Sequence, residues 1–65
     1  DIVAALSRVA SDPGLEAIRV KAALSLGQLE ASSAIPLLEE LKANQGGDLR
    51  LAAARALRVI AGEGW

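Results

Sequence analysis

The chain has 65 residues, 52% of them hydrophobic, and Trp65 is its single aromatic side chain, so one small domain must fill its core with Leu, Ala, Ile and Val. Seven basic and eight acidic residues give a net charge of -1, which provides no overall field to attract nucleic acid or an anionic membrane. The chain has neither Cys nor His, which excludes disulfides, thiolate metal sites and histidine-dependent catalysis.

Four helices are predicted, because Ala and Leu favour helices and no strand-length stretch alternates apolar with polar residues. The first helix ends before the breaker Asp12-Pro13-Gly14, and the second helix follows it. Ser32 or Ser33 is predicted to cap the third helix, and Asp48, after two glycines, to cap the fourth. The predicted limits are residues 1–10, 16–29, 33–43 and 48–61. The expected fold class is therefore all-α.

The sequence contains an internal repeat. Residues 18–29, IRVKAALSLGQL, return in altered form at residues 49–60, LRLAAARALRVI, with an offset of 31 residues (49 minus 18). The identical pairs are Arg19 and Arg50, Ala22 and Ala53, Ala23 and Ala54, and Leu26 and Leu57. A weaker similarity with an offset of 32 relates the first helix to the third. We therefore expect one domain over residues 1–65, in which a helical hairpin (unit one, residues 1–31) stacks beside a second (unit two, residues 32–65).

The apolar positions of each helix gather on one side at 100° per residue, and these stripes are predicted to face the core. They are Ile2, Leu6, Val9 and Ala10; Ile18, Ala22, Leu26 and Leu29; Ala34, Leu37, Leu38 and Leu41; and Leu49, Ala53, Leu57 and Ile60. The opposite side of the second helix is apolar too and carries Val20, Ala23, Leu24 and Gly27. A helix that is apolar almost all round is expected to have neighbours on more than one side.

These residues resemble HEAT repeats, and in particular the short HEAT-like type of phycobilisome lyases and many bacterial scaffold proteins. Both copies carry an aliphatic residue, Arg, two or three alanines, Ala or Ser followed by Leu, and a closing aliphatic residue. The Ala-x-Pro-Leu start of a first helix occurs once, at Ala34, Pro36 and Leu37. The resemblance covers nearly the whole chain and implies an α-solenoid, in which the two hairpins stack in a right-handed superhelix.

The resemblance also implies a ladder of side chains through the stack. In HEAT proteins an acidic or amide residue in the turn of a unit pairs with an Arg early in the second helix. The matching residues are Asp12 and Arg19 in unit one, and Asn44 and Arg50 in unit two. Because Asn44 is uncharged, the second pair is expected to be a hydrogen bond and not an ion pair.

The second helices of HEAT proteins line a concave face that binds partners. The resemblance implies this role for the polar residues of the second helices here, which are Lys21, Gln28, Arg55 and Arg58. Arg55 and Arg58 are three residues apart and lie on one face, where they replace Leu24 and Gly27 of unit one. They either bind an acidic or phosphate-bearing partner or keep a terminal face solvated, and the sequence leaves both interpretations open.

Few residues are suited to catalysis. Glu39 and Glu40 are the sole adjacent acidic pair, and neighbouring helix positions diverge by 100°, so a solvated face is the simpler interpretation. No His can activate the serines, the acidic residues are spread along the chain, and NQGGD lacks the spacing of a phosphate-binding loop. We therefore expect no enzymatic activity, no cofactor and no metal site.

The expected function is that of a protein-interaction or scaffold module with a protein partner. One alternative is a repeat unit of a bilin or chromophore lyase or of another enzyme-associated protein. A second alternative is nucleic-acid binding through basic residues of the second helices, against which the balanced charge and the lack of stacking aromatics count. Self-association through the end of unit one is also expected, because two units are few for a solenoid.

Three expectations concern the chain as a whole. It begins with Asp1 and not with Met, so we expect a piece of a longer solenoid. No apolar stretch approaches the roughly 20 residues that span a bilayer, so no membrane partner is expected. The sequence does not determine the compartment, for which a cytoplasmic location is favoured. Trp65 is expected to be a terminal remnant or a lid over the end of the stack, with an anchor for a partner as the alternative.

Overall fold

A computed structural model describes residues 1–62, and the expectations for Trp65 and for the end of unit two lie outside these residues. The four helices are α1 (Ile2–Ser11), α2 (Glu16–Gln28), α3 (Ile35–Asn44) and α4 (Gly47–Ile60), and a 3-10 turn (Ser32–Ala34) precedes α3. Residues 1–62 contain no β-strand. The prediction of an all-α fold with four helices is confirmed, and each predicted helix limit is within two residues of the observed one.

The two predicted N-caps are wrong. The Ser32–Ala34 turn leads directly into α3, and its first bond is donated by the Ala34 amide to the Ala31 carbonyl oxygen at 2.9 Å, so no side-chain cap forms. At the start of α4 the N-cap is Gly46, and Asp48 lies in the first turn without a capping bond. Its carboxylate is still favourable there, because the free amides at a helix start carry partial positive charge.

The helices pack in pairs, α1 on α2 and α3 on α4, while the largest interface joins α2 to α4. The prediction that α2 has neighbours on more than one side is thus confirmed. The buried core consists of Ala and Leu side chains: Ala10, Ala22, Ala23, Leu26, Ala31, Ala34, Leu38, Leu41, Leu49, Ala52, Ala53 and Ala56. Small side chains let the backbones approach closely, and a Cβ added to Gly27 would lie 2.6 Å from the Ala56 Cα atom.

The predicted core stripes are correct in unit two and half correct in unit one, where Ala10, Ala22 and Leu26 are buried and Leu6 is half-buried. Leu49 and Ala53 of α4 are buried, and Leu57 and Ile60 are half-buried. In unit one, four residues of the predicted stripes are instead substantially exposed: Ile2 by 64%, Val9 by 37%, Ile18 by 53% and Leu29 by 49%. Unit one flanks one side of unit two, whereas the corresponding side of unit one has no helix against it within residues 1–62.

Candidate functional site

A groove runs between α2 and α4. Its first part is a cavity of about 430 Å³, and α2 contributes Val20 and Leu24 to its wall. These two residues are four positions apart, so they project from the same side of the helix. The α4 side of the wall is formed by residues from one side of that helix and its flanks: Asp48, Leu51, Ala52, Ala54, Arg55 and Arg58. The walls are therefore mainly aliphatic, with charged groups at α4.

The groove continues along the same helix pair. A second cavity of about 290 Å³ is lined by Leu24, Gln28, Arg55, Ala56 and Val59. Leu24 and Arg55 line both cavities, so the two are adjacent, and we call them together the groove. Ala56 lines the second cavity and lies close to the backbone of Gly27. The small residues at this contact bring α2 and α4 close together, and larger side chains form the walls of the groove.

The structure brings three of the four predicted partner-binding residues into the groove. Arg55 and Arg58 line its first cavity, and Gln28 and Arg55 line its second. Lys21 is exposed on α2 but lines neither cavity. Sequence reasoning missed Leu51, which is 67% exposed at the groove wall. The repeat could have predicted it, because Leu51 corresponds to Val20 at the offset of 31 residues and both line the first cavity.

Arg19, which was predicted to pair with Asp12, bonds the main chain instead. Its Nε donates a hydrogen bond to the carbonyl oxygen of Ala10 at 2.9 Å, and the side chain is half-buried. Ala10 lies in the last turn of α1, where carbonyl oxygens lack partners within the helix. Arg19 therefore ties the end of α1 to the start of α2 through the main chain.

The remaining ladder residues lie apart from one another. Asn44 lines a small cavity of about 190 Å³, and Arg19 lines the same cavity from unit one. Arg50 is exposed and lines a different cavity with Glu39 and Lys42. Asn44 thus shares a cavity with the Arg of unit one, and its predicted partner, Arg50, lines another.

The groove combines aliphatic and positively charged side chains. Among residues 1–62, no group of three or more acidic side chains is placed to hold a metal ion. In the same part of the chain, no helix combines the length and apolarity that crossing a bilayer requires. The groove offers aliphatic walls beside the guanidinium groups of Arg55 and Arg58, and guanidinium groups recognise carboxylates with paired hydrogen bonds.

Comparisons with known proteins give no further guide to the site. No family model, curated protein sequence or solved structure matches this chain. The observations that bear on function are thus internal to the molecule, namely the repeat, the groove and the exposed aliphatic side chains of unit one.

Proposed function

We propose that the protein is a non-catalytic interaction module of HEAT-like repeats that holds a segment of a partner protein in the groove between α2 and α4. The groove is the observation that carries the proposal. It combines exposed Leu51 with half-buried Val20 and Leu24, and aliphatic surface of this kind is favourable to cover.

The HEAT-like assignment, with stacking in a right-handed solenoid, is supported by the repeat. Sequence-equivalent residues lie in equivalent helices, since Arg19 and Arg50 both fall early in the second helix of their units. The second helices of the two units pack against each other through Gly27 and Ala56. In a solenoid of this kind the second helices form one surface, and the groove lies on that surface.

The chemistry of the groove indicates which kind of segment it binds. Its walls are aliphatic, and the positive groups of Arg55 and Arg58 line the first cavity beside one acidic residue, Asp48. A segment with two or more aliphatic side chains and nearby carboxylates complements both features. An extended or helical peptide of about twelve residues is long enough to follow α2, because a 13-residue helix is about 20 Å long.

Selection from a random twelve-residue peptide display library tests the proposal. We expect the peptides retained by the immobilised protein to combine aliphatic residues with Asp or Glu. Leu51→Asp places a carboxylate on the groove wall, so it should weaken their binding at least tenfold, which corresponds to about 1.4 kcal/mol. Affinities are measured by fluorescence anisotropy with labelled copies of the selected peptides.

Leu15→Asp is the matched control, because Leu15 has a similar exposure of 72% and lines no part of the groove. It should leave binding unchanged, and circular dichroism checks that both variants keep their helices. Retention of no peptide, enrichment of basic peptides, or equal loss of binding in both variants would each contradict the proposal.

A further inference from the structure

The two helices that form the groove run in the same direction. Glu16 begins α2 and Gly47 begins α4, and a Cβ added to Gly47 would lie 3.5 Å from the Glu16 Oε2 atom. Gly27 and Ala56, which lie toward the other ends of these helices, also approach each other closely. The groove therefore has an N-terminal end, where both helices begin, and a C-terminal end, toward which both helices finish.

Acidic and basic side chains lie at opposite ends of the groove. The charged residues that line its two cavities are Asp48, Arg55 and Arg58. Asp48 is in the first turn of α4, and Glu16, in the first turn of α2, adds a second carboxylate at the N-terminal end. Arg55 and Arg58 come seven and ten residues after Asp48. They are therefore about 10 and 15 Å farther along the helix axis.

The partial charges of the helices reduce this difference but do not remove it. The first turn of a helix carries about half a unit of positive charge, and the last turn about half a unit of negative charge. Each is smaller than the full charge of a carboxylate or a guanidinium group. The other charged residues at α2, Lys21 and Glu30, line neither cavity. The lining of the groove thus changes from negative to positive along its length.

From this arrangement we infer that the groove selects a dipolar segment, and this inference rests on the function proposed above. A basic side chain of the segment lies beside Asp48, and a carboxylate lies beside Arg55 and Arg58. The aliphatic side chains between these charges cover the apolar part of the wall. An extended segment covers 10 to 15 Å in about three to five residues, and a helical one in about seven to ten.

A segment that is acidic at both ends fits less well. Its second carboxylate would lie at the N-terminal end of the groove, beside Asp48 and near Glu16, where like charges repel. A segment that is basic at both ends would meet the same repulsion at Arg55 and Arg58. The order of charges along the segment, and not its net charge alone, therefore decides its affinity.

The test uses four versions of one peptide from the display selection, with Lys or Glu placed on either side of the aliphatic residues that the selected peptides share. Two versions are dipolar with opposite order, one is acidic at both sides, and one is basic at both. We expect the better dipolar version to bind at least about fivefold more tightly than the acidic and the basic versions. Equal binding of the acidic version would overturn this inference alone, whereas failure of every version to bind would overturn the proposed function with it.

Charge changes in the protein identify the end of the groove that makes the choice. Asp48→Lys should exchange the preference, so that the acidic version binds more tightly than the dipolar one, and Asp48→Asn should reduce the preference below about twofold. Glu39→Lys is the matched control, because Glu39 is exposed and lines neither cavity of the groove. Circular dichroism checks that all three variants keep their helices. An unchanged preference in both Asp48 variants, or the same change in Glu39→Lys, would overturn the inference.

Salt separates charge from shape as the origin of the preference. The screening length falls from about 30 Å at 0.01 M salt to about 3 Å at 1 M. The wild-type preference for the dipolar version should therefore fall from about fivefold at the lower concentration to less than about twofold at the higher one. Fluorescence anisotropy measures both affinities, and a preference that salt leaves unchanged would overturn the inference.

Discussion

Unit one and unit two each consist of two corresponding helices with related sequences, yet they bury different positions of the repeat. Ile18 and Leu49 occupy the same position of the repeat, but Ile18 is 53% exposed and Leu49 is 2% exposed. The helices themselves do not cause the difference, because both positions belong to the same apolar stripe. Leu49 is covered because unit one packs on that side of unit two, whereas the corresponding side of unit one has no helix against it within residues 1–62. A repeat thus predicts which residues are suited to burial, while the neighbour decides which ones are buried.

The units also differ at a position where the backbones of α2 and α4 approach closely. Gly27 of unit one allows α2 to contact Ala56, whereas unit two has Arg58 at the equivalent position, exposed to solvent. The side of α2 that carries Gly27 therefore packs against α4, whereas the equivalent position of α4 carries an exposed arginine. The two units play different roles in the molecule even though their helices are alike.

The largest expected effect comes from truncating the equivalent pair Leu49 and Ile18. Leu49→Ala should lower the free energy of unfolding by about 3 kcal/mol, because it removes a fully buried side chain and leaves a cavity. Ile18→Ala should cost less than about 1 kcal/mol, because roughly half of its side chain is already in water. Urea unfolding followed by circular dichroism measures both, and equal costs would contradict the difference between the units.

Adding a side-chain atom at the contact between α2 and α4 should have the next largest effect on stability. Gly27→Ala should cost about 2 kcal/mol, because the new Cβ would lie 2.6 Å from the Ala56 Cα atom and the helices must separate. The gain in helix propensity offsets only about 1 kcal/mol of the packing loss. Gly14→Ala is the control, since its Cβ would make only an ordinary contact at 3.7 Å. A thermal melt in which Gly27→Ala matches Gly14→Ala would show that the close approach is unimportant.

The equivalent arginines should differ by a smaller amount. Arg19→Ala should cost about 1 kcal/mol, because Arg19 is half-buried and its Nε bonds the Ala10 carbonyl oxygen. Arg50→Ala should cost less than about 0.3 kcal/mol, which is the range of an exposed surface charge. Chemical denaturation measures the free energy of unfolding of both variants. A cost below about 0.3 kcal/mol for Arg19→Ala would contradict a structural role for Arg19.

The smallest expected effect is a stabilisation at the end of α2. Glu30 has a φ of 52°, and the helix closes there by bonds from the Glu30 amide to Gly27 and from the Ala31 amide to Leu26. Glycine is the usual residue at such a position, and unit two has Gly62 there with a φ of 78°. Glu30→Gly should therefore raise the free energy of unfolding by about 0.5 to 1 kcal/mol.

Gly62→Ala is the reciprocal change, and it should lower the free energy of unfolding by a similar amount, because Ala adopts the left-handed conformation reluctantly. Differential scanning calorimetry resolves shifts of this size as a few degrees in a chain this short. A lower melting temperature for Glu30→Gly would show that the Glu30 side chain makes a contribution larger than the backbone strain.

The candidate site was only partly predictable. Gln28, Arg55 and Arg58 were expected on a partner-binding face and do line the groove, whereas Lys21 lines neither of its cavities. The aliphatic half of the groove could not be assigned, because the sequence does not say how far α2 and α4 separate on either side of their contact. The N-caps predicted at Ser32 or Ser33 and at Asp48 were wrong for a local reason: the observed N-caps, Ala34 and Gly46, lie one or two residues away from the predicted positions.

The sequence by itself determined the four helices, their limits to within two residues, and the pairing of equivalent positions at offsets of 31 and 32. These follow from short-range effects, namely helix propensity, breaker residues and periodicity, which act within a few residues. Only the tertiary structure decided that Gly27 meets Ala56, that Arg19 bonds Ala10, and that Ile18 remains exposed where Leu49 is buried. Burial depends on which helix lies alongside, and a helix that is apolar on two sides does not specify which of them its neighbour will cover.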